Sequence, residues 1–327
     1  MKQGNSASVI GAGGIGYYHL QKLLNLQKEL TVPFSRISIF RTSSDNVANT
    51  CAKIQKEFQG TTMIGYSNLY ELIRKEQPSH AIIATPTCSH YHVFHALFSE
   101  DPDLERVLME KPSTTYKEGS KELVEIARQR NLVYGVNLQL ASLHLSSNQD
   151  VVSCVVGSTL AQLMSSMTYF KCVWESAGTV SIGQPSDILF DLGIHALSLL
   201  DYHLIKDYQV LEARQIKEGM HFKIDFVKFT GEFDLNYRAD KASCRRNFVI
   251  TEGDNHKFSF GGLRHDDGKY YPSMTYNRCG GKPARIMFKE DFSLTSIRNI
   301  LMAEPIVSGL RELRYIEILE AVKQKTI

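Results

Sequence analysis

The segment that most constrains this chain is Gly11-Ala12-Gly13-Gly14-Ile15-Gly16, which has the form G-x-G-x-x-G. It follows the short apolar run Ser8-Val9-Ile10. It precedes a stretch from Tyr17 to Leu30 in which Leu20, Leu23, Leu24 and Leu26 recur near helical spacing. A strand that enters a helix through these glycines has few uses. Gly11 permits a tight turn, Gly13 lets backbone approach a pyrophosphate, and Gly16 allows close packing of helix on strand. The helix start then offers unpaired N–H groups and a positive dipole end to phosphates. The whole loop, with Ala12, Gly14 and Ile15, therefore reads as a dinucleotide cradle. A merely tight turn is the plain alternative.

Downstream, strand-like and helical stretches alternate. Ile37–Phe40, Ala81–Ala84, Arg106–Met109 and Leu132–Val136 predict strands, and residues 48–58, 90–98 and 117–130 predict helices. That alternation is the pattern of a doubly wound parallel sheet with helices on both faces. Such sheets bind ligands beyond the carboxyl ends of their strands. Chemistry is thus expected at Gly11–Gly16, Arg41–Ser44, Thr85–His90 and Glu110–Pro112. After about residue 140 the texture changes. Residues 151–156, 163–170, 222–237 and 247–260 read as β-rich, 188–204 as helix-like, and 309–322 as an amphipathic helix striped by Leu310, Leu313, Ile316 and Leu319. The expected fold is an α/β Rossmann domain over residues 1–137. An α+β domain with a large, mostly antiparallel sheet follows over 138–327.

A chain of 327 residues accommodates two such domains. Its formal net charge of +2 argues against a nucleic-acid or membrane-surface partner held by bulk electrostatics. The sequence holds no apolar run long enough for a membrane span, and its N-terminus lacks the apolar region and cleavage site of a signal peptide. Six cysteines form neither a CxxC nor a zinc-spaced set, which fits reduced thiols in a cytoplasmic protein.

An NAD site would carry Asp or Glu after the second strand, bonded to the ribose hydroxyls. Phe40-Arg41-Thr42-Ser43-Ser44 stands there instead. Arg41 can stack on adenine or pair with a 2′-phosphate, and Thr42 and Ser43 can donate hydrogen bonds to it. NADP is favoured over NAD, which stays open, and a solvated Arg41 is the alternative.

Three further motifs complete the pattern. Met109-Glu110-Lys111-Pro112 ends a strand, and Pro112 biases Lys111 toward extended backbone, so its ammonium can pass the sheet edge. Ala84-Thr85-Pro86-Thr87 and His90 follow the strand before it. Asp191-Leu192-Gly193-Ile194-His195 reads as helical, which puts Asp191 and His195 on one face.

With these motifs in this order, the chain resembles the Gfo/Idh/MocA family of oxidoreductases over the first domain and the opening half of the second. The resemblance implies nicotinamide-dependent hydride transfer, commonly on sugars, polyols or nucleotide sugars. It maps the family's lysine onto Lys111, and its acid and histidine onto Asp191 and His195. It assigns Thr85, Pro86, Glu110 and Lys111 to the cofactor, with His90 either supporting the nicotinamide end or starting a helix. It also implies a homodimer or homotetramer, and an apolar outer sheet face would need such a cover.

The chemistry can be argued separately. Oxidising a carbinol needs a base for the hydroxyl proton while hydride leaves for nicotinamide C4. His195 suits that role, because imidazole titrates near working pH. Asp191 can position the ring or bind a substrate hydroxyl, and Lys111 can bond the reacting oxygen and stabilise developing charge. A solvated helix pair and a loop-entry lysine are the plain alternatives. A metal on His195, Asp201 and His203 lacks a completing ligand, so none is expected. Trp174 either stacks on a sugar or packs in a core.

The sequence departs from the family at three places. Gly183–Asp187 lacks the usual glycine run, Ser198 stands where many members carry an acid, and Asn137-Leu138-Gln139 stands where arginine is common. Keto-sugar, polyol and imine substrates all stay open. The competing readings are an imine or tetrapyrrole-type reductase and a non-catalytic dinucleotide sensor.

Overall fold

The computed structural model describes residues 5–29, 34–59, 63–177, 188–200, 205–238, 245–264, 270–278, 281–288, 291–302 and 304–326. The chain divides into two compact units: Met1–Leu138 with Ser293–Leu313, and Gln139–Phe292 with Arg314–Ile327.

The first unit is a doubly wound sheet. In chain order it holds β1 (Ser6–Ile10), α1 (Ile15–Glu29), β2 (Arg36–Phe40), α2 (Ser44–Glu57), β3 (Met63–Tyr66), α3 (Leu69–Glu76), β4 (His80–Ile83), α4 (Thr87–Glu100), β5 (Arg106–Glu110), α5 (Lys117–Gln129) and β6 (Val133–Asn137). The strands run β3-β2-β1-β4-β5-β6, and every pair is parallel. Every residue of β1 and β4 is buried, as expected of strands covered on both faces. The strand order reverses between β1 and β4, so the loops leaving those two strands border the crevice where such sheets bind ligands.

Two elements here carry little sequence signal. β3 is four residues long and includes Gly65, where a Cβ would lie 2.2 Å from Val47 Cγ1. Only glycine lets α2 approach so closely, and that small residue breaks the apolar run. The eight-residue α3 is announced instead by its N-cap, as Asn68 Oδ1 accepts from the Glu71 amide at 3.1 Å.

The sequence division at 137/138 foresaw no return of the chain to this unit. Residues Ser293–Leu313 rejoin it. Ile297, Ile300 and Leu301, from the helix Phe292–Met302, share a buried cluster with Leu20, Leu23, Ile37 and Leu108. The Val136 amide donates to Val307 O at 2.9 Å. The last helix, Gly309–Thr326, then brings in Glu312, which is fully buried and accepts from the Ser113 amide at 2.8 Å. The stripe expected on that helix is displaced. Leu310 is 58% exposed, whereas Tyr315, Ile316, Ile318, Leu319 and Val322 are all fully buried.

Burial pushes the Glu312 carboxyl up to about 7, against the Ser113 hydrogen bonds that oppose it. A carboxyl raised by folding holds its proton more tightly in the native state. Its favourable contribution is complete below its ordinary value of 4.5 and is lost as pH rises through about 7. Glu312→Gln keeps an acceptor for Ser113 and removes the ionisation. It is expected to raise stability at pH 8 by about 2 kcal/mol and to change little at pH 4. Denaturant unfolding at the two pH values checks this.

The second unit opens with helices where β structure was expected. Residues 151–156 lie in α6 (Ser146–Val156), and the first half of 163–170 lies in α7 (Leu160–Ser166), while Tyr169 and Phe170 are in a strand as expected. The valines at 151, 152, 155 and 156 look β-prone singly, but their spacing is helical. Gly157 (φ 84°) caps α6 in the left-handed region, and Thr159 with Gln162 forms a capping box on α7.

Eight strands follow: β7 (Tyr169–Ala177), β8 (Gln209–Ile216), β9 (Gly219–Asp225), β10 (Thr230–Arg238), β11 (Arg246–Glu252), β12 (Asp254–Arg264), β13 (Tyr270–Arg278) and β14 (Ala284–Met287). Their order is β14-β13-β12-β11-β7-β10-β9-β8, antiparallel except for β7 beside β10. Between β7 and β8 lie a π-helical turn, Leu189–Gly193, and α8 (Ile194–Ser198).

One face of this sheet buries Phe170, Cys172, Phe222, Phe233, Phe248 and Phe258. The other face is charged, so the argument from an apolar outer face does not apply. There Lys171 Nζ bonds Glu232 at 2.5 Å and Asp234 at 3.3 Å, and Asp234 also meets His221 Nδ1 at 2.6 Å. His221, Glu232 and Asp234 bring three metal-type ligand atoms within 4.8 Å of one another, but the Lys171 ammonium already bonds both carboxylates. Among the described residues, Cys51, Cys88, Cys154 and Cys172 are free thiols, and no helix is long and apolar enough to cross a membrane.

Candidate functional site

The glycine loop sits at the switch point of the parallel sheet. The amides of Gly11 and Ala12 both donate to Phe40 O at 3.1 Å, which ties the loop to the end of β2. Gly11 has φ 90°, and a Cβ there would lie 2.7 Å from the backbone of Ala84 and Thr85 at the end of β4. A Cβ on Gly16 would lie 2.1 Å from Gly11 O. The first helical turn is thus pressed against the turn that precedes it, as phosphate-cradling loops require. Gly14 (φ 50°) and the exposed Ile15 carry the loop into α1.

Beside the loop is a cavity of about 390 Å³ lined by Ala12, Gly13, Gly14, Tyr17, Arg41, Asn49, Thr50 and Lys53. Its charged liners are both cations. Arg41 lies over the loop, since a Cβ on Gly13 would fall 2.8 Å from its Nη2, and it donates from Nη1 to Thr50 Oγ1 at 3.1 Å. Lys53 Nζ rests 4.1 Å from the centre of the Tyr17 ring. Ser43 is committed elsewhere: its hydroxyl caps α2 by accepting from the Asn46 amide at 3.2 Å. Thr42 is exposed at the same strand end. The loop and this cavity therefore fit a dinucleotide with an anionic group on its adenosine half. The sequence reading missed Tyr17, Asn49, Thr50 and Lys53. Its signal lay in the helical spacing of Asn49, Thr50 and Lys53 on the helix after Arg41.

The other two strand ends are held by buried polar groups. The His90 ring lies between two carbonyls, with Nε2 2.6 Å from Thr85 O and Nδ1 2.9 Å from Pro112 O. Burial lowers its pKa, against both carbonyls and Glu110, and the neutral ring donates to one carbonyl at a time. His90 thereby links the loop of Thr85 and Pro86 to that of Lys111 and Pro112, whose peptide bond is cis.

Glu110 faces inward. Its Oε1 accepts from His19 Nε2 and, at 2.6 Å, from Asn137 Nδ2, while Oε2 accepts from the Lys111 amide at 3.3 Å. Burial resists its ionisation, but His19, Asn137 and Lys111 together hold the carboxyl below its usual range. His19 and Asn137 are both buried. Asn137, noted in the sequence only as a missing arginine, is a ligand of Glu110, and His19 was not singled out at all.

In the second unit, Asp191 lies inside the π-helical turn and His195 in α8. Tyr237 Oη donates to Asp191 Oδ2 at 2.8 Å. The His195 ring stacks on Trp174 with centroids 5.8 Å apart, and the Arg246 guanidinium lies 5.6 Å from the same indole. Trp174 thus belongs to the histidine's surroundings. Gly193, between acid and histidine, makes room for the last helix, since a Cβ there would lie 2.8 Å from Leu319 Cδ2. Ser198 is buried and donates to His195 O at 2.8 Å. Asp201, His203 and Gly183–Asp187 lie outside the described residues.

Comparison with known proteins agrees with this picture. No curated protein matches the chain in sequence. Among solved structures, UDP-N-acetylglucosamine 3-dehydrogenase GnnA from Acidithiobacillus ferrooxidans superposes with a TM-score of 0.68 at 16% identity, covering 98% of this chain and 97% of that one. KijD10, a 3-ketoreductase from Actinomadura kijaniata in complex with TDP-benzene and NADP, gives 0.70 at 17% identity, covering 99% and 98%. The oxidoreductase YvaA from Bacillus subtilis gives 0.66 at 19%, covering 99% and 97%. These likenesses establish the fold. A family model described as the oxidoreductase family with an NAD-binding Rossmann fold, GFO_IDH_MocA, matches residues 6–138. That segment is the sheet that carries the glycine loop and Lys111, so the first unit is similar to the NAD-binding Rossmann domain of the Gfo/Idh/MocA oxidoreductases.

Proposed function

We propose that this chain is an oxidoreductase that uses NADP(H) to exchange a hydride with a carbinol or ketone carbon of a sugar, polyol or nucleotide sugar. The observation that carries the reading is the pairing of the glycine loop with an adjacent cavity whose charged liners are Arg41 and Lys53. An NAD site would carry a carboxylate there for the ribose hydroxyls. The KijD10 structure with NADP and the dehydrogenase GnnA, which takes a nucleotide sugar by name, support the cofactor and the substrate class.

The nicotinamide supplies the hydride acceptor or donor at its C4. Lys111 bonds the reacting oxygen and stabilises charge developing on it. His195 takes the hydroxyl proton in oxidation and returns it in reduction. Asp191, bonded to Tyr237, holds a substrate hydroxyl or orients the imidazole. Thr85, Pro86 and His90 shape the nicotinamide end, where Glu110 holds the Lys111 backbone. The chain works as a homodimer or homotetramer, a part of the reading supported by the family resemblance alone and testable by light scattering.

Fluorescence titration with NADPH and NADH tests the cofactor. NADPH is expected to bind at least about tenfold more tightly, and Arg41→Ala to weaken NADPH by about tenfold while leaving NADH unchanged. Equal or tighter NADH binding by the unaltered chain overturns the preference. A panel of sugars, keto-sugars and imines follows. Turnover only with imines would support a reductase of that class, and binding without turnover would support a sensor.

A further inference from the structure

We infer that Lys53, on the third turn of α2, is the second cation of a 2′-phosphate clamp and sets the cofactor preference together with Arg41. This deepens the proposed function and rests on its assignment of NADP(H).

The argument starts from charge. The cavity beside the loop has eight lining residues, of which Arg41 and Lys53 are the charged ones, and among the described residues neither forms an ion pair. A monoester phosphate carries nearly two negative charges near neutral pH. A single guanidinium neutralises half of that. Arg41 reaches the cavity from the end of β2 and Lys53 from a helix that begins after it. Two cations from separate elements can contact one phosphate from two directions.

The geometry favours the same ligand. Arg41 is anchored by Thr50, whose own hydroxyl donates to Asn46 O at 2.8 Å, so the guanidinium is fixed against α2. Lys53 rests on the Tyr17 ring, a contact that a compact ammonium keeps while presenting donors to an oxygen. Asn49, exposed on the same helix, adds a neutral donor. Ribose hydroxyls alone would find two cations and no carboxylate in the lining, which is a poor match for NAD.

Calorimetric titration of the full chain with 5′-AMP and with 2′,5′-ADP isolates the added phosphate and needs no turnover. The unaltered protein is expected to bind 2′,5′-ADP at least about tenfold more tightly than 5′-AMP. Lys53→Met, which keeps the apolar stem over Tyr17, is expected to erase about tenfold of that preference without changing 5′-AMP. Lys53→Arg should restore it. If Lys53→Met leaves the preference intact, or weakens both ligands equally, the role of Lys53 is refuted while the NADP reading stands. If the unaltered chain itself shows no preference, the NADP reading fails.

Discussion

Replacing Lys111 by alanine is expected to lower kcat by about a hundredfold or more while NADPH binding changes by no more than about twofold. The expectation follows from how the residue is held. The backbone before it is fixed by Glu110, which gathers His19, Asn137 and the Lys111 amide on one carboxylate. The backbone after it is fixed by His90 on Pro112 O and by Glu312 on the Ser113 amide. Five side chains, Glu110, His19, Asn137, His90 and Glu312, therefore keep the strand end in place when the lysine side chain is cut. What is lost is the ammonium, and with it, in the proposed mechanism, the charge stabilisation at the reacting oxygen. His195→Ala is expected to fall by a similar factor, because proton transfer by a positioned side chain is commonly worth a hundredfold or more, as an order of magnitude. Its structural cost should be modest, since it removes one ring from the Trp174 stack. Steady-state kinetics with parallel NADPH titration separates these effects. Near-normal turnover in both variants would defeat the assignment.

Gly16→Ala is expected to have the largest effect on the protein itself, with a loss of about 3 kcal/mol or more and no measurable dinucleotide binding. The added methyl would sit 2.1 Å from Gly11 O and 3.1 Å from Ala84 Cβ. The nearest atom is backbone, so no side-chain rotation relieves the clash. Moving the carbonyl would drag Gly11, which already lies against Ala84 and Thr85. Gly14→Ala is the control. Nothing lies within 4 Å of its Cβ, and the cost is limited to φ 50°, roughly 1 kcal/mol. Thermal unfolding and NADPH fluorescence on both variants check the ranking. A stable Gly16→Ala protein that still binds cofactor would show that the loop does not pack as described.

The first sheet was legible because its signals are local. Glycines at fixed offsets, buried strands at β1 and β4, and strand ends at Thr85 and Lys111 all read from short windows. Much of the second unit's sheet was legible from alternation, as at Phe222–Tyr237. The errors came where single-residue preference competed with spacing or capping. The valines of α6 suggested a strand, although Gly157 and the Thr159–Gln162 box marked helix boundaries. The return of Ser293–Leu313 was illegible, because packing on Leu20 and Leu108 is a long-range fact that composition does not record.

The site shows the same split. Arg41, Lys111 and His195, the residues to which the proposal gives chemistry, were singled out from motifs. Their partners were not, because His19, Asn137, Tyr237 and Glu312 act through contacts that the fold alone creates. Glu312 is the clearest instance, since a charged residue on an amphipathic helix reads as solvated and here is wholly buried.

The central claim is hydride transfer, and isotope transfer tests it most directly. NADPH deuterated at C4 on each face in turn is incubated with the protein and a panel of keto-sugars and nucleotide keto-sugars, and the products are read by mass spectrometry. The account expects one deuterium per product molecule from one face of the cofactor, with the rate of transfer lowered about a hundredfold in Lys111→Ala and His195→Ala. Deuterium that stays on bound NADPH with every substrate, or that reaches product equally well in both variants, would contradict it.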